Sequence, residues 1–457
     1  MADKEYISHL ETQNALLTHQ VKLLEEKVMQ LLSLHQQRGV KKDSRNSSLP
    51  PSSDMPSSKP STNKTQSTRS ASELKSGGQP GHEGTTLSMS STPDITVDLK
   101  SSYCQSCGAS LSDLEFTFVN KRQVIELPPI KPIYKEYRQY SCSCGRCAHK
   151  QVADFPKDVV APIQYGSSVE SLVSYLSVRH YLPFARMAEM LTDVFSLPLS
   201  QGTIGNILER SAKRCEGIYA NIKDEIAGSP VTGSDETGAN VNGKMWWIWV
   251  WQNLLNTYIV ASENRGSKTI DEVWPNGLPT STLVSDRWSA QLKMVAKNHQ
   301  LCLAHLLRDV IYLEQSEQLP FATEFKGLIL KIFDLKKNHN LEYLPDSQEA
   351  KSLEYQLSQL LAISIDKTHH PNSAKFQRSI IKHRNSVLPC IYDREIPPDN
   401  NGSERAVRTI KVKQKISGQF KSGQRAFCIL RSVIDTLRKR SLDILAFLQQ
   451  IIQLSPV

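Results

Sequence analysis

VTGSDETGANVNGKMWWIWVWQNLLNTYIVASE, residues 231–263, decides how this chain is read. VTGSDETGA, KMWWIWVWQN and NTYIVASE are each rich in β-branched or aromatic residues, so they predict three successive strands. A helix candidate, SKTIDEVW (267–274), and a further strand, TSTLVSDRW (280–288), follow. Strands in succession, then helix and strand in alternation, indicate a mixed α/β sheet. Asp235 is expected to end the first strand and Asp286 the last, and carboxylates at the ends of adjacent strands can converge on one cation.

Working outward, residues 303–385 read as mostly helical and 400–453 as two or three helices. Glu404 begins the latter segment and can complete a set of three carboxylates. Phosphoryl transfer on DNA needs such hard oxygen ligands around divalent ions. Each residue also has an ordinary explanation: Asp235 and Asp286 as turn residues, and Glu404 as the closing residue of a capping box, Asn401-Gly-Ser-Glu404. The surroundings of Glu404 favour the chemical reading. Arg408, Lys411 and Lys415 follow it at i+4, i+7 and i+11, on one helix face, and Arg405 adjoins it. Residues 400–440 hold eleven of the 55 Lys and Arg against two acids, so they carry the whole net charge of +9 while the rest sums to zero. A basic excess so confined suits a polyanion such as DNA.

Upstream, PFARMAEMLTDVF and QGTIGNILERSAKR form two helices joined by SLPLS, with Ser200 as N-cap. This is the outline of a helix-turn-helix offering Gln201, Thr203, Asn206 and Arg210 to DNA; an ordinary helical hairpin has the same outline. Residues 95–150 read as short strands with turns and carry five of the nine cysteines. Cys104, Cys107, Cys144 and Cys147 form two C-x2-C knuckles suited to tetrahedral Zn²⁺, with Gly108 and Gly145 at the tight turns, and Cys142 as a possible substitute for Cys144. A disulfide framework is not expected in a large chain without a secretion signal, and the charged start MADKEYISHLE argues against such a signal.

Residues 41–80 are Ser, Pro, Lys and Gly rich, a composition that cannot order itself. Residues 5–35 repeat in heptads. Ile7, Asn14, Val21 and Val28 take the a positions and Leu10, Leu17, Leu24 and Leu31 the d positions, which favours a parallel two-stranded coil with Asn14 fixing register. Gly39 ends that helix. No run of 18 apolar residues exists, so no membrane span is expected.

The chain resembles the transposases of the insertion sequence 66 family, of the Asp-Asp-Glu class with a ribonuclease H-like core. The resemblance spans about residues 10–450. It rests on SRNSSLPPSSD (44–54), GGQPGHEG (77–84), RQVIELPPI (122–130), the cysteine knuckles, APIQYGSSVESLVSYLS (161–177), SDETGANVNGKMWWIWVW (234–251), LVSDRWSA (283–290), HQLCLAHLLRD (299–309) and PPDNNGSERAVRTIKVKQKISGQF (397–420). It implies that Asp235, Asp286 and Glu404 are the Asp-Asp-Glu set, holding two Mg²⁺ or Mn²⁺ per site. It also matches the family's Cys-x2-His element to Cys302 and His305, which we leave out of the metal set because Cys and His three apart on a helix are more often core. Cys142 departs from the pattern, as does the lack of the extra C-terminal tail of some members.

The expected architecture is multidomain α+β. It comprises a coiled-coil dimerisation helix (1–39), a disordered linker (40–94), a zinc-binding module (95–157) and a helical DNA-binding region (158–228). A ribonuclease H-like catalytic domain (229–440) with a helical insertion at about 310–395, and a C-terminal helix (441–457), complete it. The expected function is that of a cytoplasmic, nucleoid-associated DNA transposase that cleaves and joins element ends, as a homodimer, with room for accessory proteins. The alternative is a non-enzymatic zinc-containing DNA-binding regulator or an inactive transposase-derived protein.

Overall fold

The computed structural model describes residues 2–39, 46, 87–337 and 347–454. Almost all of the expected linker therefore lies outside the described residues. The chain opens with helix α1 (Ala2–Gly39), which stops at the predicted glycine. α1 contacts a later helix (Leu303–Glu317). Even so, Leu10, Leu17, Val21, Leu24, Val28 and Leu31 remain between 46% and 65% exposed.

The expectation of several short strands over 95–150 is corrected. Among the described residues this stretch holds only β1 (Ser141–Ser143) and β2 (Lys150–Val152), an antiparallel pair, and one isolated bridge, Tyr103 with Ser110. The β-prone run between the knuckles, with Phe118, Val124, Ile125 and Ile133 all exposed, has no partner strand among the described residues, and strand propensity without a pairing surface does not make a strand.

Helices α2 (Ser167–Val178), α3 (Phe184–Phe195), α4 (Gln201–Arg214) and α5 (Glu216–Ala227) come next. The five-stranded sheet contains β3 (Val231–Val241), β4 (Lys244–Gln252), β5 (Thr257–Ser262), β6 (Leu278–Ser285) and β7 (Ala296–Leu301). Its order is β5-β4-β3-β6-β7, the first three antiparallel and β6 and β7 parallel to β3. Short helices α6 (Ser267–Val273) and α7 (Ser289–Lys293) connect the later strands. β3 and β4 are joined by Asn242-Gly243, both left-handed at φ 48° and 78°, the backbone that a two-residue hairpin turn needs to match strand twist.

The stretch after β7 is mostly helical, as expected: α8 (Leu303–Glu317), α9 (Pro320–Lys337), α10 (Gln348–Ala362), α11 (Pro371–Lys382) and α12 (Pro389–Tyr392) gather around Phe321, Phe325 and Phe376. The basic segment forms α13 (Asn401–Ser417), α14 (Gln424–Lys439) and α15 (Ile444–Leu454). Just past α13, Phe420 is stitched to the β3–β4 hairpin: its N–H donates to Asn240 O (2.9 Å), and Asn242 N–H donates to Phe420 O (2.7 Å).

Edge strand β5 is sealed by helices. Thr257 and Ile259 donate their N–H groups to Thr436 Oγ1 (3.1 Å) and Ser432 Oγ (2.9 Å) of α14, and Tyr219 of α5 donates its hydroxyl to Ile259 O (2.8 Å). Covering an edge in this way removes a template for stray strand pairing. α14 is in turn pinned by Arg431, 1% exposed, which bonds both oxygens of Asp435 (2.9 and 2.8 Å), Val178 O (3.1 Å) and the Tyr181 hydroxyl (3.0 Å). Arg431→Met would leave Asp435 as an uncompensated buried charge, a class of change that costs about 3–5 kcal/mol. A clear fall in the denaturant midpoint is expected, and an unchanged midpoint would show that the ion pair does not hold α14.

Candidate active site

Asp235 does not end its strand, contrary to expectation; it lies inside the eleven-residue β3. What ends near it is the pairing with β6, whose last pair is Gly233 with Val284. Asp235 and Asp286 each lie two residues beyond that pair, so parallel registry alone sets the two carboxylates side by side. β3 continues past this point because β4 still pairs with it, Asp235 opposite Val250.

Glu404 comes to the same place from α13. The capping-box reading of Glu404 does not hold. The N-cap is Asn400, so Glu404 is the fourth helical residue rather than the third. The N–H that a capping box would satisfy, that of Asn400, donates to Cys302 Sγ instead (3.2 Å). The Glu404 carboxylate is free to face α8, where His305 Nδ1 and Arg308 Nη2 each lie 3.6 Å from Oε1. His305 Nδ1 is also 2.8 Å from Asp286 Oδ1. Asp286 Oδ1, His305 Nδ1 and Glu404 Oε1 are all buried without an aligned hydrogen-bond partner, so three polar atoms converge on one another rather than on donors or acceptors elsewhere.

Cys302 and His305, left out of the metal set, lie beside the carboxylates. Among the described residues one group of three His, Cys, Asp or Glu side chains gathers its ligand atoms within 4.8 Å, and it is Asp286, Cys302 and His305. On a helix, Cys-x2-His reads the same whether it faces a core or a site; only the fold shows that the first turn of α8 abuts β6 and α13.

Charge is crowded here. Burial, and then the neighbouring Asp286 and Glu236, push the Asp235 carboxyl well above the ordinary range. Burial pulls the His305 pKa down, but the bonds and charge supplied by Asp286 and Cys302 outweigh it and raise it to about 11. Glu236 is a fourth acid that sequence reasoning missed. It is raised by burial and restrained by Arg265, whose Nη2 is 3.0 Å from Oε1, and by a bond from Gln291. Arg265 is itself stacked between Trp247 (4.4 Å) and Trp288 (4.0 Å).

Of the proposed DNA contacts, Arg405, Arg408 and Lys415 are exposed on α13, while Lys411 donates to Gly238 O of β3 (2.9 Å). On α4, Ser200 caps the helix as expected, accepting from Thr203 N–H (3.1 Å). Gln201 and Asn206 are exposed and Thr203 half-buried. Arg210 and Arg214 both pair with the buried Glu170 of α2.

The two cysteine knuckles have one geometry. The N–H groups of Gly108 and Ala148 donate to Cys104 O (2.9 Å) and Cys144 O (2.8 Å). The N–H groups of Cys107 and Ser106 hold the Cys104 thiol below its ordinary value, and those of Arg146 and Cys147 do so for Cys144. Gly108 is left-handed at φ 72°, as the turn requires, but its counterpart is Ala148 at φ 58° rather than Gly145. The knuckles do not gather into one group of three or more ligands, and Cys142 sits in β1 opposite Gln151.

The model of the transposase IS66 family matches residues 162–427, which take in the sheet, all three carboxylates and the helical insertion. The chain belongs to the IS66 transposase family. Membership makes it a transposase-type enzyme that acts on DNA and uses divalent metal. A second model, a family of unknown function (DUF6444), matches residues 3–88. A protein of Sinorhizobium fredii (strain NBRC 101917 / NGR234), titled "Uncharacterized protein y4jD", is 22% identical over 403 residues, 79% of this chain and 76% of that protein. Among the described residues no helix of this transposase is long and apolar enough to cross a membrane.

Without metal, the His305 cation has a defined effect on stability. Its pKa is about 6.5 when unfolded and is raised to about 11 in the fold. The stabilisation is thus fully present below about pH 6.5 and is lost as pH rises through about 11. In chelator, His305→Ala should show a shallower fall in denaturant midpoint between pH 6.5 and 10.5 than the parent chain. Parallel curves would refute the pairing.

Proposed function

We propose that this chain is an active DNA transposase in which Asp235, Asp286 and Glu404 hold Mg²⁺ or Mn²⁺ for cleavage and joining of element ends. The observation that carries this reading is the position of Glu404: one residue too deep in α13 to cap it, with its Oε1 3.6 Å from the same His305 Nδ1 that lies 2.8 Å from Asp286 Oδ1. The donors suit the metal. Carboxylate oxygens match hard cations, and Asp286 Oδ1 and Glu404 Oε1 are buried without aligned hydrogen-bond partners, which leaves their lone pairs for a cation. Held by these three carboxylates, a pair of divalent ions would supply charge to activate an attacking oxygen, from water for cleavage or a freed 3′-hydroxyl for joining, and to stabilise the leaving one. The protein's share is positional: β3 and β6 present the two aspartates in register, and α13 brings Glu404 and leads the strand along Arg405, Arg408 and Lys415. His305 and Arg308 balance the carboxylates when metal is absent. The five-stranded sheet is read as the ribonuclease H-like core, with 310–395 as its insertion.

The remaining modules serve DNA and assembly. The exposed Leu and Val stripe of α1, with Asn14 among it, is the seam of a parallel homodimer. Gln201, Thr203 and Asn206 on α4 face DNA, with Arg210 shared between DNA and Glu170. Two matching knuckles whose lead thiols are biased toward thiolate support one structural Zn²⁺ on Cys104, Cys107, Cys144 and Cys147. Cys142, placed in a strand instead of a knuckle, is not a ligand on this reading.

Glu404→Gln separates chemistry from binding. It replaces a hard anionic ligand with a neutral amide, so Mg²⁺-dependent nicking of end-containing DNA should collapse while gel-shift affinity persists, the cations being untouched. Full nicking by the variant would remove Glu404 from the metal set. For zinc, elemental analysis of the purified full chain should find one ion that Cys144→Ser loses and Cys142→Ser retains; the reverse pattern would make Cys142 the ligand.

A further inference from the structure

We infer that Cys302 and Asn400 are positioning residues that clamp the three carboxylate-bearing segments to one another. The inference rests on the reading of Asp235, Asp286 and Glu404 as ligands of a divalent ion. Cys302 and Asn400 are 1% and 2% exposed, and their bonds form one continuous chain. Cys302 N–H donates to Ser285 O (2.9 Å), the residue before Asp286. Cys302 Sγ accepts from Asn400 N–H (3.2 Å). Asn400 Nδ2 donates to Ser234 O (2.6 Å), the residue before Asp235. Asn400 O accepts from Glu404 N–H (3.1 Å). Main-chain bonds tie Cys302 to the residue before Asp286 and Asn400 to Glu404, and two side chains join these pieces to each other and to β3: Cys302 Sγ through Asn400 N–H and Asn400 Nδ2 through Ser234 O.

Asn400 is an unusual N-cap. An N-cap Asn ordinarily turns its side chain onto the helix's own free N–H groups, and this one makes no such bond. It spends its amide on β3 instead. The seam it enters is held open by glycines: a Cβ on Gly233 would meet Ser403 Oγ at 2.6 Å, Gln252 Nε2 at 2.8 Å and Asn400 Oδ1 at 3.0 Å, and one on Gly402 would meet Gln252 Nε2 at 2.5 Å. The close approach of α13 to β3 and β4 is therefore specific. Cys302 suits a supporting place better than a ligand's, because a soft sulfur is a poor match for Mg²⁺ while its lone pair is an adequate acceptor for a buried N–H.

The test uses the full chain and Mn²⁺ as probe. Mn²⁺ affinity is read by electron paramagnetic resonance on DNA-free protein, beside Mg²⁺-dependent nicking and gel shift on end-containing DNA. Outer supports of metal ligands typically contribute 10–100-fold in affinity or activity. Cys302→Ala and Asn400→Ala should each bind Mn²⁺ about 10- to 100-fold more weakly, nick correspondingly slowly and shift DNA as the parent does. Cys302→Ser, which keeps an acceptor, should fall between. Parental Mn²⁺ affinity in folded Cys302→Ala and Asn400→Ala overturns the inference, even if their melting temperatures drop. If Asn400→Ala does not fold, Cys302→Ala against Cys302→Ser decides it: equal Mn²⁺ affinities in the parent and both variants overturn it. Glu404→Gln is the control: if it too keeps parental Mn²⁺ affinity and nicking, the metal reading fails, and not the clamp alone.

Discussion

Three parallel pairs, Val231 with Thr282, Thr232 with Leu283 and Gly233 with Val284, set the registry on which the site depends. Side chains alternate along a strand, so a slip of one residue would carry Asp235 to the opposite face of the sheet and dissolve its neighbourhood with Asp286. The registry has to hold against like-charge repulsion and burial, both of which raise the Asp235 pKa. It is backed on one side by the long β3–β4 hairpin and on the other by β7, whose pairing with β6 runs to Ser285–Leu301 and delivers the chain to Cys302. Helices α14 and α5 close the far edge, so the sheet is anchored away from the carboxylates.

Against that fixed pair, α8 and α13 supply opposite charges. His305 and Arg308 lie near the carboxylate oxygens of Asp286 and Glu404. On the proposed reading, protein cations and metal ions are alternatives at one place, which would link metal uptake to proton release. The outer cluster of Glu236, Arg265, Trp247 and Trp288 is neutral by internal pairing and adds no such competition.

Much of this was legible in the sequence. The strands around 231–263, the Ser200 cap, the helical insertion and the three carboxylates are local or strongly patterned. What was hidden depends on contacts across long separations. Cys302 and His305 carry a core-like spacing until α13 is docked 98 residues away in sequence through Asn400. Asn400 drew no notice because nothing in NNGSE states that its amide faces β3. The strand propensity at 115–140 misled because propensity does not supply a partner, and Gly145 was taken for the left-handed position that Ala148 holds. The apparent capping box failed by a single residue, the usual error in placing a helix start.

α13 is fastened at both ends, by Asn400 at its start and by Phe420 against the hairpin turn just beyond its finish. Both fastenings oppose swinging or unwinding of the helix. The exposed cations Arg405 to Lys415 span ten residues, roughly 15 Å along the axis, and one strand of a duplex climbs about 3.4 Å per nucleotide. On the proposed reading the helix is a ruler of about four nucleotides with its zero mark at Glu404. Which bond is cut would then be set by counting phosphates from a rigid scale, separately from whatever module reads the bases.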